Sequence, residues 1–90
     1  MKTTWKFPLG IEDRQTVKMP KGAYVLPSAQ TQFDRLTVWA IVDDKAPMED
    51  REFRIAGTGH PLDDLNPADW KFLGTVQMMD GGLIWHVFVK

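Results

Sequence analysis

Apolar residues recur at every second position along most of this chain. In "TWKFPLGI", Trp5, Phe7, Leu9 and Ile11 fall on one side, with Lys6, Pro8 and Gly10 on the other. An extended backbone alternates its side chains between two faces, so the pattern predicts a strand with one wet face. Pro8 donates no ladder hydrogen bond and places that strand at a sheet edge. "EDR" interrupts the alternation, and "QTVKM" resumes it with Val17 and Met19.

The next segments are punctuated by turn residues. "PKG", Pro20 to Gly22, reads as a turn, with proline presetting one φ and glycine accepting the unusual one. "AYVLPSAQTQF" reads as extended and bent or broken at Pro27, and Asp34 with Arg35 as a two-residue hairpin loop. "LTVWAIVD" is apolar on both faces, with Leu36, Val38, Ala40 and Val42 on one and Trp39 and Ile41 on the other. Such a strand is buried on both faces or carries an interface. "DKAPMED" reads as a polar loop. "REFRIAG" alternates again, with Phe53 and Ile55 inward, Glu52 and Arg54 outward, and Arg51 weakly outward.

A long connection then runs from Gly57 to Asp69, in which "NPADW" offers Asn66 as a cap and a proline after it, enough for a single helical turn. "WKFLGTVQMM" places Trp70, Phe72, Val76 and Met78 on one face. "DGG", Asp80 to Gly82, is a short hairpin loop with glycine for a left-handed position, and "LIWHVFVK" closes as a second strand apolar on both faces. About seven short strands with turn signals between them predict an all-β fold, a small antiparallel β-sandwich or partly open barrel. Residues 1–90 make one domain, with no repeat, linker or low-complexity segment.

Composition narrows the function classes. Apolar residues are 43% of the chain, with four Trp and five Phe, which supplies a core and argues against disorder. The net charge is −1 and the basic residues are scattered, so the stripe that neutralises phosphates in a nucleic-acid binder is missing. No apolar run approaches the roughly 20 residues of a membrane span, and "MKTTWKFPLG" lacks the apolar stretch of a secretory signal. A cytoplasmic protein without membrane or nucleic-acid partners is therefore expected. With no cysteine, disulfides, thiolate catalysis and cysteine zinc sites are excluded. The two histidines, His60 and His86, show no metal-ligand spacing, and neither a metal nor another cofactor is expected.

The candidate site is "GTGHPLDD", Gly57 to Asp64. Gly57, Thr58 and Gly59 offer backbone N–H groups to a small anion or nucleotide, with His60 and Asp63 as polar contacts. The same glycines suit a corner at a strand's end, and Pro61 fixes the exit and holds His60 extended. The phosphate-loop pattern of glycines, lysine and a hydroxyl is absent. A histidine beside a carboxylate can act as an acid–base pair, so His60 with Asp63 or Asp64 is a hydrolase candidate. Thr58 and Thr75 are the nearest hydroxyls, and no complete catalytic constellation is visible. Asp63 and Asp64 serve equally well as turn residues after Pro61. His86, between Ile84 and Phe88, reads as a satisfied core or interface histidine.

Most of the tryptophans, Trp5, Trp39, Trp70 and Trp85, alternate with aliphatic residues and read as core, leaving one or two as anchors for a protein partner. "DDKAPMED", Asp43 to Asp50, lacks the oxygen-ligand spacing and glycine of a calcium loop and reads as a solvated hairpin tip.

"WKFPL", "MPKGA", "WAIVD", "GTGHP" and "HVF" follow one another in an order that resembles a family of small uncharacterised proteins of bacteriophages and prophages. The resemblance spans most of the chain, and "GTGHP" and "MPKGA" are its most specific pieces. It implies a phage accessory protein acting in the cytoplasm of an infected bacterium, and it carries over no catalytic residue. Three functions follow as expectations. The first is a non-enzymatic module binding a host or phage protein, such as an inhibitor of a host defence. The others are an anion or nucleotide binder at "GTGHP" and a hydrolase using His60. The two strands apolar on both faces exceed the needs of a small sandwich, and a homodimer would bury the surplus.

Overall fold

The computed structural model describes residues 1–90 as eight strands and no helix: β1 (Lys2–Pro8), β2 (Arg14–Pro20), β3 (Tyr24–Val25), β4 (Gln30–Gln32), β5 (Arg35–Asp43), β6 (Met48–Gly57), β7 (Lys71–Met78) and β8 (Leu83–Val89). They form two four-stranded antiparallel sheets, so the fold is a sandwich and not a closed barrel. In the first sheet β5 is central, with β1 along one side and β3 and β4 sharing the other. The second sheet runs β2-β6-β8-β7.

Pro8 sits on an edge strand, as its missing N–H requires. Pro27 splits the extended segment after the first turn into β3 and β4, which raises the strand count from about seven to eight. At the break the Ser28 hydroxyl replaces the lost ladder contact: the Trp39 N–H donates to Ser28 Oγ at 2.9 Å. The "PKG" turn closes through Ala23 N–H to the Pro20 carbonyl at 3.0 Å, with Gly22 at φ +79°.

The core lies between the sheets. Phe7, Leu36, Val38, Ala40 and Val42 face Met19, Phe53, Ile55, Leu73, Val76, Val87 and Val89. One seam is tied where β4 meets β7: the Ala29 N–H donates to the Leu73 carbonyl at 3.1 Å. Nearby, Lys71 Nζ donates to the Val25 carbonyl at 2.7 Å and stands 3.6 Å from the centre of the Tyr24 ring. The outer face of β5 is open, with Ile41 39% exposed beside Tyr24 at 55%.

Several sequence expectations need correction, and one that holds, the outward direction of Arg54, needs a qualification. The β4–β5 loop is Phe33–Asp34, since Gln32 pairs with Arg35, and both loop residues have positive φ. A two-residue hairpin matches strand twist in primed turns, the form with both residues left-handed occurs here, and phenylalanine gives no signal for it. "DDKAPMED" is not a hairpin tip but spans the link from β5 in one sheet to β6 in the other. Phe72 faces out, because a bulge between Phe72 and Gly74 resets the alternation and turns Leu73 inward with Val76. Arg51 sits on the inner-facing side, where it donates to the Ala23 carbonyl at 2.8 Å and to the Lys90 carbonyl at 3.1 Å. Arg54 does point away from the core, yet it is only 2% exposed.

The burial of Arg54 follows from topology. β6 and β7 are both antiparallel to β8, hence parallel to each other with β8 between them. The chain must therefore return from Gly57, opposite Trp85, to Lys71, opposite Val89. The inner face is occupied by the first sheet, so the crossover runs over the outer face and covers Arg54 and Ala56.

Candidate functional site

The crossover begins as a tight turn. The His60 N–H donates to the Gly57 carbonyl at 3.0 Å, and Gly59 takes φ +88°. The His60 side chain curls back, and the Gly57 N–H donates to its Nδ1 at 3.1 Å. Nδ1 accepts that bond, so the ring proton sits on Nε2. A Cβ on Gly57 would stand 2.8 Å from His60 Cε1. Gly57 is thus fixed by the approach of the imidazole, whereas Gly59 is fixed by its own φ. Two N–H groups of the "GTGH" segment are used within the segment and are not free for an anion.

His60 hydrogen-bonds no carboxylate. Asp63 and Asp64 form the middle of the next turn, closed by Leu65 N–H to the Leu62 carbonyl at 3.0 Å. Asp63 is exposed. Asp64 accepts from Arg54 Nη1 at 3.2 Å and also pairs with Arg14. Asp13 accepts from Arg54 Nε and Nη2 at 3.3 and 3.2 Å. The guanidinium fork thereby joins the β1–β2 link to the crossover, with its charge matched on two sides. "NPADW" forms a hydrogen-bonded turn, Asp69 N–H to the Asn66 carbonyl at 2.9 Å, in which Asn66 Oδ1 accepts from the Ala68 N–H at 3.0 Å.

The hydroxyls meet the other histidine. Thr58 Oγ1 lies 2.8 Å from His86 Nε2, and Thr75 Oγ1 lies 3.0 Å from His86 Nδ1. His86 stands on the outer face opposite Ala56 and Thr75, beneath the start of the crossover. A neutral imidazole donates to one hydroxyl and accepts from the other, so both ring nitrogens are satisfied. Thr75 holds His86 Nδ1 with a hydroxyl, at the place where a catalytic triad has a buried carboxylate. The arrangement ties the crossover to the sheet. No group of three or more His, Asp or Glu side chains is placed to hold a metal ion.

A cleft of about 280 Å³ lies beside this turn, lined by Gly57, Thr58, His60, Leu83, Ile84 and Trp85 among others. The Trp85 and His60 rings meet edge to face, with centroids 6.5 Å apart. Trp85 Nε1 is buried without a hydrogen-bond partner.

Two hairpin tips stand side by side at this same end of the sandwich, an adjacency that sequence reading missed: Gly57 pairs with Trp85 near the start of β8, and Gly81 and Gly82 line the cleft beside His60. Phe33 and Asp34 join β4 to β5 at φ 51° and 61°, and Met79 and Asp80 open the β7–β8 loop at φ 52° and 54°. Phe33 is 91% exposed and Met79 78%. A groove of about 510 Å³ separates the tips, lined by Thr31, Asp34, Gln77, Met78, Met79, Asp80 and Gly81. Left-handed backbone is uncommon for residues with a Cβ, and a bulky one there is a true outlier. Nothing in the alternation singles out Phe33 or Met79. The one available signal was each residue's place before an aspartate in a short connection.

The acidic link from β5 to β6 holds the chain's own ammonium. The Met1 amino group donates to Asp44 Oδ1 at 3.1 Å and stands 3.6 Å from Asp43 Oδ1. The Asp44 hydrogen bond raises the amino-group pKa above its ordinary value. The hydrogen bond from the Lys45 N–H, aided by the nearby amino group, lowers that of Asp43.

No curated protein and no solved structure matches this chain. The family model described as a domain of unknown function, DUF7352, matches residues 1–90, and the chain belongs to that family.

Proposed function

We propose that this protein is a non-enzymatic protein-binding module, and that its contact surface is the end of the sandwich formed by the two hairpin tips. The observation that carries the reading is the exposure of Phe33 and Met79 on backbone that disfavours them. Residues held in sparsely populated backbone regions cluster at binding and clamp sites. Exposed aromatic and methionine side chains are the anchors that protein interfaces favour. The partner is a host or phage protein in the cytoplasm of an infected bacterium, and inhibition of a host defence is one such role. That setting rests on "WKFPL", "MPKGA" and "GTGHP".

The test is affinity capture from a bacterial lysate, run in parallel with the double variant Phe33→Ser, Met79→Ser. A partner retained by the native protein and lost by the variant supports the reading. A partner retained equally by both removes the tips from it.

A second reading has its own observation. Tyr24 pairs directly with Ile41 on the open outer face of the first sheet. A second copy of the chain would cover that face as a homodimer. Light scattering that gives a monomer at high micromolar concentration excludes it. The anion-binding and hydrolase readings have less support: the "GTGH" turn bonds two of its own N–H groups, and His60 meets no carboxylate.

A further inference from the structure

We propose that the groove between the hairpin tips takes an extended protein segment in which arginine or lysine alternates with apolar residues; this deepens the protein-binding reading and rests on it. The chemistry of the groove selects that occupant. Asp34 and Asp80 line it from opposite tips, together with Met78 and Met79. No lysine or arginine is among its lining residues, Arg35 included. Neither carboxylate has an ion-pair partner within the chain, whereas Asp13, Asp43, Asp44, Asp50 and Asp64 each pair with a cation. The groove therefore presents two uncompensated negative charges beside apolar surface.

The two tips repeat one design. Each places an apolar residue and then an aspartate in left-handed backbone, Phe33–Asp34 and Met79–Asp80. Two successive left-handed residues turn the chain sharply, so each apolar side chain stands clear of its own strands. About 510 Å³ admits one or two side chains of an incoming segment and is too small for a folded element. Arginine suits it well, since a guanidinium can bond a carboxylate while its stem lies along methionine. Methionine side chains adapt to different apolar neighbours, so the apolar positions of the partner are loosely specified.

The test uses a pool of synthetic peptides in which arginine alternates with leucine, valine, phenylalanine or methionine, and a second pool with glutamate in place of arginine. Amide NMR signals of the native protein are followed in both. The arginine pool is expected to move the signals of Thr31–Asp34 and Gln77–Gly81 and to leave unmoved the link from β5 to β6, which lies at the opposite end of β5. Binding should weaken as salt rises, because the charges are exposed. The variant Asp34→Asn, Asp80→Asn should lower affinity about tenfold, a modest hot-spot effect. Asparagine tolerates left-handed backbone, so the tips keep their shape. If the glutamate pool binds the same residues equally well, the charge inference is overturned while the protein-binding reading stands. If neither pool moves the tip signals, both are overturned. Tip signals that move when the protein is concentrated alone would make the occupant a second copy and overturn the proposal.

Discussion

Arg54 Nη1 donates to Asp64 Oδ1 at 3.2 Å, tying the crossover back to a residue of β6 ten positions earlier. Arg54 is buried and Asp64 is half exposed, so the two ends of this bond are unequal. Losing the carboxylate leaves a buried donor without its partner, whereas losing the guanidinium leaves carboxylates that water can reach.

Asp64→Ala should therefore destabilise the fold by about 1–3 kcal/mol, the cost of an unsatisfied buried group. Arg54→Lys should also destabilise, since one ammonium cannot span Asp13 and Asp64 as the fork does. Urea unfolding curves measure both. Stability unchanged in Asp64→Ala would mean that the crossover is not anchored there.

Gly57 and His60 form a coupled pair. Gly57→Ala should push the imidazole off the Gly57 N–H and cost about 1 kcal/mol, a typical hydrogen bond. In a His60→Ala background the same change should cost close to nothing. A double-mutant cycle reads the difference directly. Equal costs in both backgrounds would show that the glycine serves its own backbone and not the ring.

Phe33 should be a site where stability and binding part company. Phe33→Asn removes a bulky residue from a left-handed position and installs one that tolerates it, without loss of packing because the ring is exposed. A gain of about 1 kcal/mol, the scale of the left-handed penalty, is expected in thermal unfolding. Binding at the tips should fall in the same variant. A loss of stability would show that the ring packs in solution.

The ion pairs at Met1 set a pH window. The raised amino-group pKa contributes stability that is complete below about pH 8 and is lost as pH rises through the folded value. The lowered Asp43 pKa contributes stability that is present above about pH 4 and is lost as pH falls through the folded value. Carboxyl-carbon NMR should place the Asp43 midpoint below the ordinary aspartate range. Acetylating the amino group should leave most of that lowering in place, because the Lys45 N–H is its main cause. A midpoint that returns to the ordinary range on acetylation would reverse that order.

Alternation and turn chemistry made the sandwich legible, because each strand shows one face to a single core. Proline located an edge at Pro8 and a break at Pro27. The errors fall where one residue of register or one covering segment decides the outcome. The bulge before Gly74 turned Phe72 outward, and a loop moved by one residue put Phe33 at a tip. Periodicity says only that Arg54 points away from the core. Whether water or another part of the chain meets it there depends on strand order, which pairs residues far apart. The "GTGH" corner was legible as a turn, but Thr58 meeting His86 required the whole second sheet.

The placement of β8 between β6 and β7 has a consequence for synthesis. β6 pairs with β8 over Phe53–Gly57 and β7 over Lys71–Met78, yet β8 is the last of the eight strands to be made. Until Leu83–Val89 emerge, β6 and β7 each carry an open edge, and the crossover has no β8 beneath it. Completion of this sheet therefore waits on its final seven-residue strand, and a nascent chain stalled before Leu83 holds β7 unpaired and one edge of β6 open to other proteins.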